Sequence, residues 1–418
     1  MKTKFCLVFL CSLLALASAA AQSFDDWFED CTLRLDYVFA GNNRSQHIYL
    51  QQALATTRWA GRKNRLTDVP LRGNGQVRLK DQQTGQLLYV HTFSTLFQEW
   101  QATPEAASLQ KAFETSYNVP MPKRPVVITV TLTDFHNKVI GEMTHTLDPK
   151  DILIRRIDSS DVESRYIWPA DTVPDLTGSI DLAIVAEGYT AEEMDKFYSD
   201  CQRAVDALFS HEPFTTLKSR FNVVAVAPVS KDSGPSLPRE GRWNTTAVAT
   251  HYDTFYSNRY LMTENIHHLY DILSGVPFEH IIVLVNSGIY GGGGIYNQLL
   301  VTTTDHPTFV QVLVHEFGHS YAGLADEYFH DDGFETMYPA DTEPWEPNLT
   351  TKVDFQQKWA DMLPDPSGRV GLFEGGGYQT KGVWRPSEDC RMRTNESPDF
   401  CPVCHRAIVA ITDFYTSK

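Results

Sequence analysis

His315, Glu316 and His319 stand together in Val310 to Tyr328, VQVLVHEFGHSYAGLADEY. Histidines four positions apart fall one turn apart on the same face of a helix, where both imidazoles can meet a single metal ion. Glu316 projects about 100° further round that helix and can reach a water at the same ion. The chemistry available to such a group is hydrolysis, in which a metal polarises a carbonyl and a carboxylate takes the proton of the attacking water. The element that must present these residues is legible in the same stretch. Pro307 marks a helix start, apolar Val310, Leu313, Val314, Phe317 and Tyr321 recur at helical spacing, and Gly323 ends the helix. The plain alternative is an amphipathic core helix whose histidines happen to lie four apart.

A motif of five residues is too short to decide alone. In the metzincin pattern a glycine bends the chain after the helix, and a third ligand follows three residues later. Gly323 stands four positions after His319, one later than that pattern, yet Asp326 keeps the Gly-x-x-ligand spacing with a carboxylate in place of the usual histidine. Asp326 is the expected third ligand and Glu327 the runner-up. HEFGHSYAGLADEY, taken with CRMRTNESPDFCPVCHRAI near the C-terminus, resembles the bacterial IgA-peptidase-like zinc metallopeptidases. The resemblance covers nearly the whole mature chain. It implies a zinc-dependent endopeptidase with Zn2+ as cofactor, a protein or peptide as substrate and a metzincin-like catalytic fold. It does not imply that IgA is the substrate.

Composition sets the bounds on this reading. The chain has 418 residues, 42 % of them hydrophobic, enough for two ordinary cores. A formal charge of −16 argues against nucleic acid as a partner, since affinity for phosphates rests on lysine and arginine. Lys2 and Lys4 precede the apolar run Phe5 to Leu16, and small residues Ala17 to Ala21 follow, as in a cleaved targeting segment. No later run reaches the roughly 20 apolar residues of a membrane span, so the expectation is an exported chain without a membrane span. Cleavage leaves Cys31, Cys201, Cys390, Cys401 and Cys404 in a compartment that permits disulfides. The Asn-x-Ser/Thr sites at Asn43, Asn244, Asn348 and Asn395 carry no argument.

The expected architecture is α+β in two domains. Residues 1–21 form the targeting segment, 22–165 an antiparallel β-sandwich-like accessory domain and 166–418 a metzincin-like α/β zinc-peptidase domain. Leu33, Leu35, Tyr37 and Phe39 alternate with polar residues as in a half-buried strand. Leu87 to Phe93 and Val126 to Thr133 read as further strands, the latter folding back on Val139 to Leu147 through a turn at His136 to Lys138. A helix is expected from Thr103 and Pro104, and His91, His136 and His145 are read as structural or solvated. Polar residues with Trp168, Pro169 and Pro174 mark a boundary near 159–174. Beyond it, Ile180 to Ala186, Phe221 to Ala227 and His280 to Val285 are buried-type strands, with Thr190 and Glu193 capping a helix that runs to Phe209. The glycines 291–294 read as a flexible turn, or as an opening beside an edge strand at Leu299 to Thr304 on which a substrate strand could pair. In the loop-rich 329–389 region, Phe373 to Tyr378 and Trp384-Arg385-Pro386 resemble family segments along the cleft, and Tyr378 is the candidate contact for the developing oxyanion.

At the C-terminal end, the metzincin-like reading places Met392 in a turn beneath the metal ligands. Cys401-Pro402-Val403-Cys404-His405 has the spacing of haem attachment, but no second axial ligand or apolar pocket is indicated. Cys390, Cys401, Cys404 and His405 have ligand types for a second zinc. A disulfide from Cys390 to Cys401 or Cys404, bracing the turn against the last helix, is the preferred reading. In the mechanism this sequence predicts, His315, His319 and Asp326 hold zinc and Glu316 is the general base. Two rivals remain: a zinc amidase acting on peptidoglycan peptides, and a surface protein binding host glycoprotein with a vestigial metal site. Oligomeric state is not readable.

Overall fold

The computed structural model describes residues 23–169, 178–329 and 337–417. The expected targeting segment, with Cys6 and Cys11, lies outside these residues, as does Pro174. Two four-stranded sheets make up the N-terminal half. One has the order Lys111–Pro122, Phe28–Gly41, Gln46–Ala55, Arg155–Arg156, and the other Leu87–Phe93, Gly75–Asp81, Val126–Thr133, Val139–Leu147. All pairings are antiparallel except that of Gln46–Ala55 with Arg155–Arg156. Leu33, Leu35, Tyr37 and Phe39 from one sheet share a core with Val77, Leu79, Ile128 and Val130 from the other.

The first strand departs from the half-buried expectation. Arg34 and Asp36, on the face expected to be wet, are also buried. The helix Ile266–Ile272 of the C-terminal half covers them, and Arg34 donates to Asp36, to Asp271 Oδ1 at 2.6 Å and to the His267 carbonyl at 2.7 Å. A buried guanidinium is tolerated there because each side of its fork is matched by an acceptor. The helix expected near Thr103 instead spans Leu96–Gln101, since the Thr95 hydroxyl accepts from the Gln98 amide and caps it; Pro104 opens only a short 3-10 turn. His145 bonds Tyr37 through Nε2, and His136 faces Asp341 at the surface, in keeping with structural roles.

The chain changes sheets between Arg156 and Ser164. The second half is built on a six-stranded mixed sheet in the order Gly292–Ile295, Leu299–Thr303, His280–Val285, Ile180–Glu187, Phe221–Val226, Ser164–Trp168. The four central strands are parallel and the two outer ones antiparallel to their neighbours. Side chains alternate across a strand, and here each face meets a different core. Ala183 and Val185 join the core of the N-terminal sheets, whereas Leu182 and Ile184 join one formed with Phe197, Leu313, Phe317 and Ile408 of three helices. These helices are Met194–Phe209, Phe309–Ala322 and Pro402–Thr416. The Thr190 amide donates to Glu193 at 2.9 Å, the predicted cap at the start of the first.

Two expectations about the glycine run are corrected. Glycines 292–294 are not a loose turn but most of the outermost strand, and Leu299–Thr303 is therefore an interior strand. Lacking side chains, the glycines let this strand lie close against the motif helix. Its outer side is bridged at Gly292 by Tyr260. Among the described residues no helix is long and apolar enough to cross a membrane. A cavity of about 60 Å³, lined by Arg34, Arg62, Tyr89, His91 and Glu279, lies between the halves and is not lined by His315 or His319.

Candidate metal centre and its surroundings

The motif helix begins at Phe309 rather than Pro307, because the Thr308 amide turns back to His306 Nδ1 and leaves the proline in the preceding turn. It ends where expected, with Gly323 at φ 58° as a left-handed cap that L side chains resist. The carbonyl of Leu324, just past this cap, accepts from His319 Nδ1. That of Arg391 accepts from His315 Nδ1 at 3.0 Å. Carbonyls only accept, so both rings carry their proton on Nδ1 and turn an Nε2 lone pair inward.

Those lone pairs meet. His315 Nε2 and His319 Nε2 are 3.0 Å apart, and Asp326 Oδ1 lies 3.0 Å from the first and 3.2 Å from the second. Three electron-rich atoms this close repel one another unless positive charge sits between them, and N, N, O is a donor set that suits zinc. The residues therefore fit a metal ion. The Glu316 carboxylate lies with the two imidazoles inside a 4.8 Å group. The His315 and His319 side chains are 13 % and 15 % exposed, so one side of the group opens to solvent.

Without a metal ion, a proton on the histidines supplies that positive charge. Burial opposes a charge on His319, but the charge and hydrogen bond of Asp326, with the charge of Glu316, outweigh it and push His319 up to about 10. Burial likewise disfavours the Asp326 carboxylate, yet the two histidines hold it well below the usual range. Glu316 moves the other way. Burial raises it against the pull of the imidazoles, which makes it a better proton acceptor.

Tyr378 lies at the site, its hydroxyl donating to Asp326 Oδ2 and accepting from Tyr328. The segment bearing it runs beside the ligand loop, with Gly377 N to Asp326 O at 2.8 Å and Tyr378 N to Tyr328 O at 3.0 Å. Met392 is fully buried beneath the motif helix, and a Cβ added at Gly318 would lie 2.7 Å from its sulfur. A side chain at position 318, between the two histidines, would require the Met392 side chain to move.

Glu327, the runner-up ligand, points elsewhere. Its Oε1 accepts from Cys404 Sγ at 3.1 Å, in a buried group with Cys390 and Cys401. The expected disulfide is not formed: Cys390 Sγ and Cys404 Sγ are 3.8 Å apart and all five described cysteines are free thiols. His405 is not a member of this group, because the carboxylate from the ligand loop fills the fourth place. Asn348 is a residue that sequence reasoning passed over. It is fully buried, accepts from Ala325 N at 2.8 Å, and donates to Ala325 O at 2.9 Å and Glu327 Oε1 at 3.0 Å. A lone asparagine in a long loop sends no signal, and its burial excludes it as a glycan acceptor.

An α+β chain in two parts, with an open histidine–carboxylate group on a helix buried against the sheet, is the class of molecule that fold and site define. Family comparison carries this further. Residues 170–367 and 364–412 match the family model described as IgA peptidase M64, and residues 23–144 match its companion, the peptidase M64 N-terminus. The chain belongs to the IgA peptidase M64 family and is a peptidase, with peptides or proteins as substrates. Comparison with curated proteins found no match.

Proposed function

We propose that this peptidase is an exported, zinc-dependent endopeptidase whose catalytic half is metzincin-like. The observation that carries the reading is the convergence of His315 Nε2, His319 Nε2 and Asp326 Oδ1 within 3.2 Å, with Glu316 beside them. These three residues would hold the zinc, which would supply a Lewis acid for the scissile carbonyl and for activating water. Glu316, raised by burial, takes the proton of the attacking water and passes it to the leaving amine. Arg391 and Leu324 carbonyls keep both imidazoles turned inward through the cycle. Tyr378 is retained as the candidate oxyanion contact, its hydroxyl shared with Asp326 in this arrangement. The outermost strand Gly292–Ile295, and not Leu299–Thr303, is the edge along which a substrate backbone aligns, beyond the Tyr260 bridge at Gly292. Export is supported by the basic and apolar character of the first 21 residues.

Mass-spectrometric cleavage profiling of a peptide library, with zinc supplied, tests this. The wild type is expected to cut and Glu316→Ala to keep its zinc without cutting. Turnover by the variant would remove Glu316 as base. Cleavage confined to cell-wall fragments would favour an amidase, and no cleavage of either would favour a binding protein.

A further inference from the structure

We infer that Glu327, Cys390, Cys401 and Cys404 form a second, structural zinc site that fastens the ligand loop, the Met392 turn and the C-terminal helix together behind the hydrolytic centre. The four ligand atoms lie within 4.8 Å of one another and all four residues are buried. The Cys390 to Cys404 sulfur separation of 3.8 Å is the informative distance. Two thiolates held by one tetrahedral zinc at about 2.3 Å sit roughly 3.8 Å apart, whereas a disulfide draws its sulfurs to about 2.0 Å.

Three further features belong to a thiolate site. The Cys401 amide donates to Cys390 Sγ at 3.2 Å, and the Cys404 amide to Cys401 Sγ at 3.5 Å, so two sulfurs are acceptors from the backbone. Cys401 caps the N-terminus of Pro402–Thr416, where the helix dipole favours negative sulfur. Glu327 Oε2 is buried and has no hydrogen-bond partner among the described residues, while Oε1 is held by Asn348. A buried carboxylate oxygen left unpaired beside three thiols costs free energy that a cation would recover. Sulfur-rich tetrahedral ligation selects zinc over hard cations, and four protein ligands close the site to substrate. Each ligating thiol releases its proton to solvent on binding.

The full chain, expressed with zinc and purified without chelator, should carry two equivalents of zinc by elemental mass spectrometry. His319→Ala should lose one equivalent and Cys401→Ser the other. Because the cysteine variant could fail to fold, the deciding measurement uses the wild type and His319→Ala exchanged into cobalt(II). Both should show intense near-ultraviolet thiolate-to-cobalt absorption, which the hydrolytic centre, having no sulfur ligand, cannot produce. Absence of that absorption in the folded protein overturns the proposal, as does a non-reduced peptide map showing Cys390 joined to Cys401 or Cys404.

Discussion

Asp326 and Glu327 are consecutive in the chain, yet their carboxylates serve different clusters: Asp326 Oδ1 is 3.0 Å from His315 Nε2 and Glu327 Oε1 is 3.1 Å from Cys404 Sγ. The peptide between them is held on several sides. Gly377 N donates to Asp326 O, Glu327 N donates to Met392 O, and Asn348 spans Ala325 and Glu327. A displacement of that shared peptide would carry both side chains with it.

Asn348→Ala should expose this dependence. It strips the side-chain partner from a buried amide and a buried carbonyl of Ala325 and one of the two partners from Glu327 Oε1, a loss of about 3 kcal/mol in unfolding free energy. Urea denaturation measures it, and a change within experimental scatter would show that these bonds are not formed.

Tyr378→Phe removes the hydroxyl that orients Asp326 without altering the ring's packing. Zinc affinity at the hydrolytic centre should fall by about 10- to 100-fold, read by competition with a chromophoric chelator. Unchanged affinity would leave Tyr378 with no part in positioning the ligand.

Glu316→Gln keeps shape and removes the proposed base. Turnover of a peptide found by profiling should drop by about 10²- to 10⁴-fold at unchanged zinc content. Parallel loss of zinc would instead mark Glu316 as a ligand.

Glu99 offers a test by pH. Burial, opposed by a hydrogen bond from Tyr260 and by the charge of His319, and aided by the charges of Asp326 and Glu316, pushes it up to about 7 from an ordinary 4.5. Between these values the folded metal-free protein binds more protons than the unfolded chain, so stability attributable to Glu99 falls as pH rises through that window. Glu99→Gln, which cannot ionise, should gain on the wild type across it, by up to about 3 kcal/mol at the upper end. Denaturation curves at several pH values check this; a difference independent of pH would contradict it.

Much of this arrangement was legible from residue types alone. The strands at Leu87–Phe93, Val126–Thr133 and His280–Val285 fall where β-branched and aromatic residues cluster, and the histidine pair had only to lie on a helix to converge. The outermost strand was not legible, because glycines carry no alternation and their pairing partner Leu299–Thr303 supplies the reason for the strand. Spacing in Cys401 to His405 suggested His405 as a ligand, since nothing local to that stretch says that Glu327, dozens of residues upstream, returns to the same place. Arg34 and Asp36 read as surface because the helix that covers them comes from the other half of the chain.

The central strand Ile180–Glu187 is a party wall. Ala183 and Val185 line the room shared with the N-terminal sheets, Leu182 and Ile184 the room that houses the motif helix. Neither room closes without its own set of neighbours, so trimming the chain to its hydrolytic half would leave one whole side of the wall open to water. The N-terminal sheets are thus part of the enzyme's masonry, and the smallest piece that can stand and cut contains them.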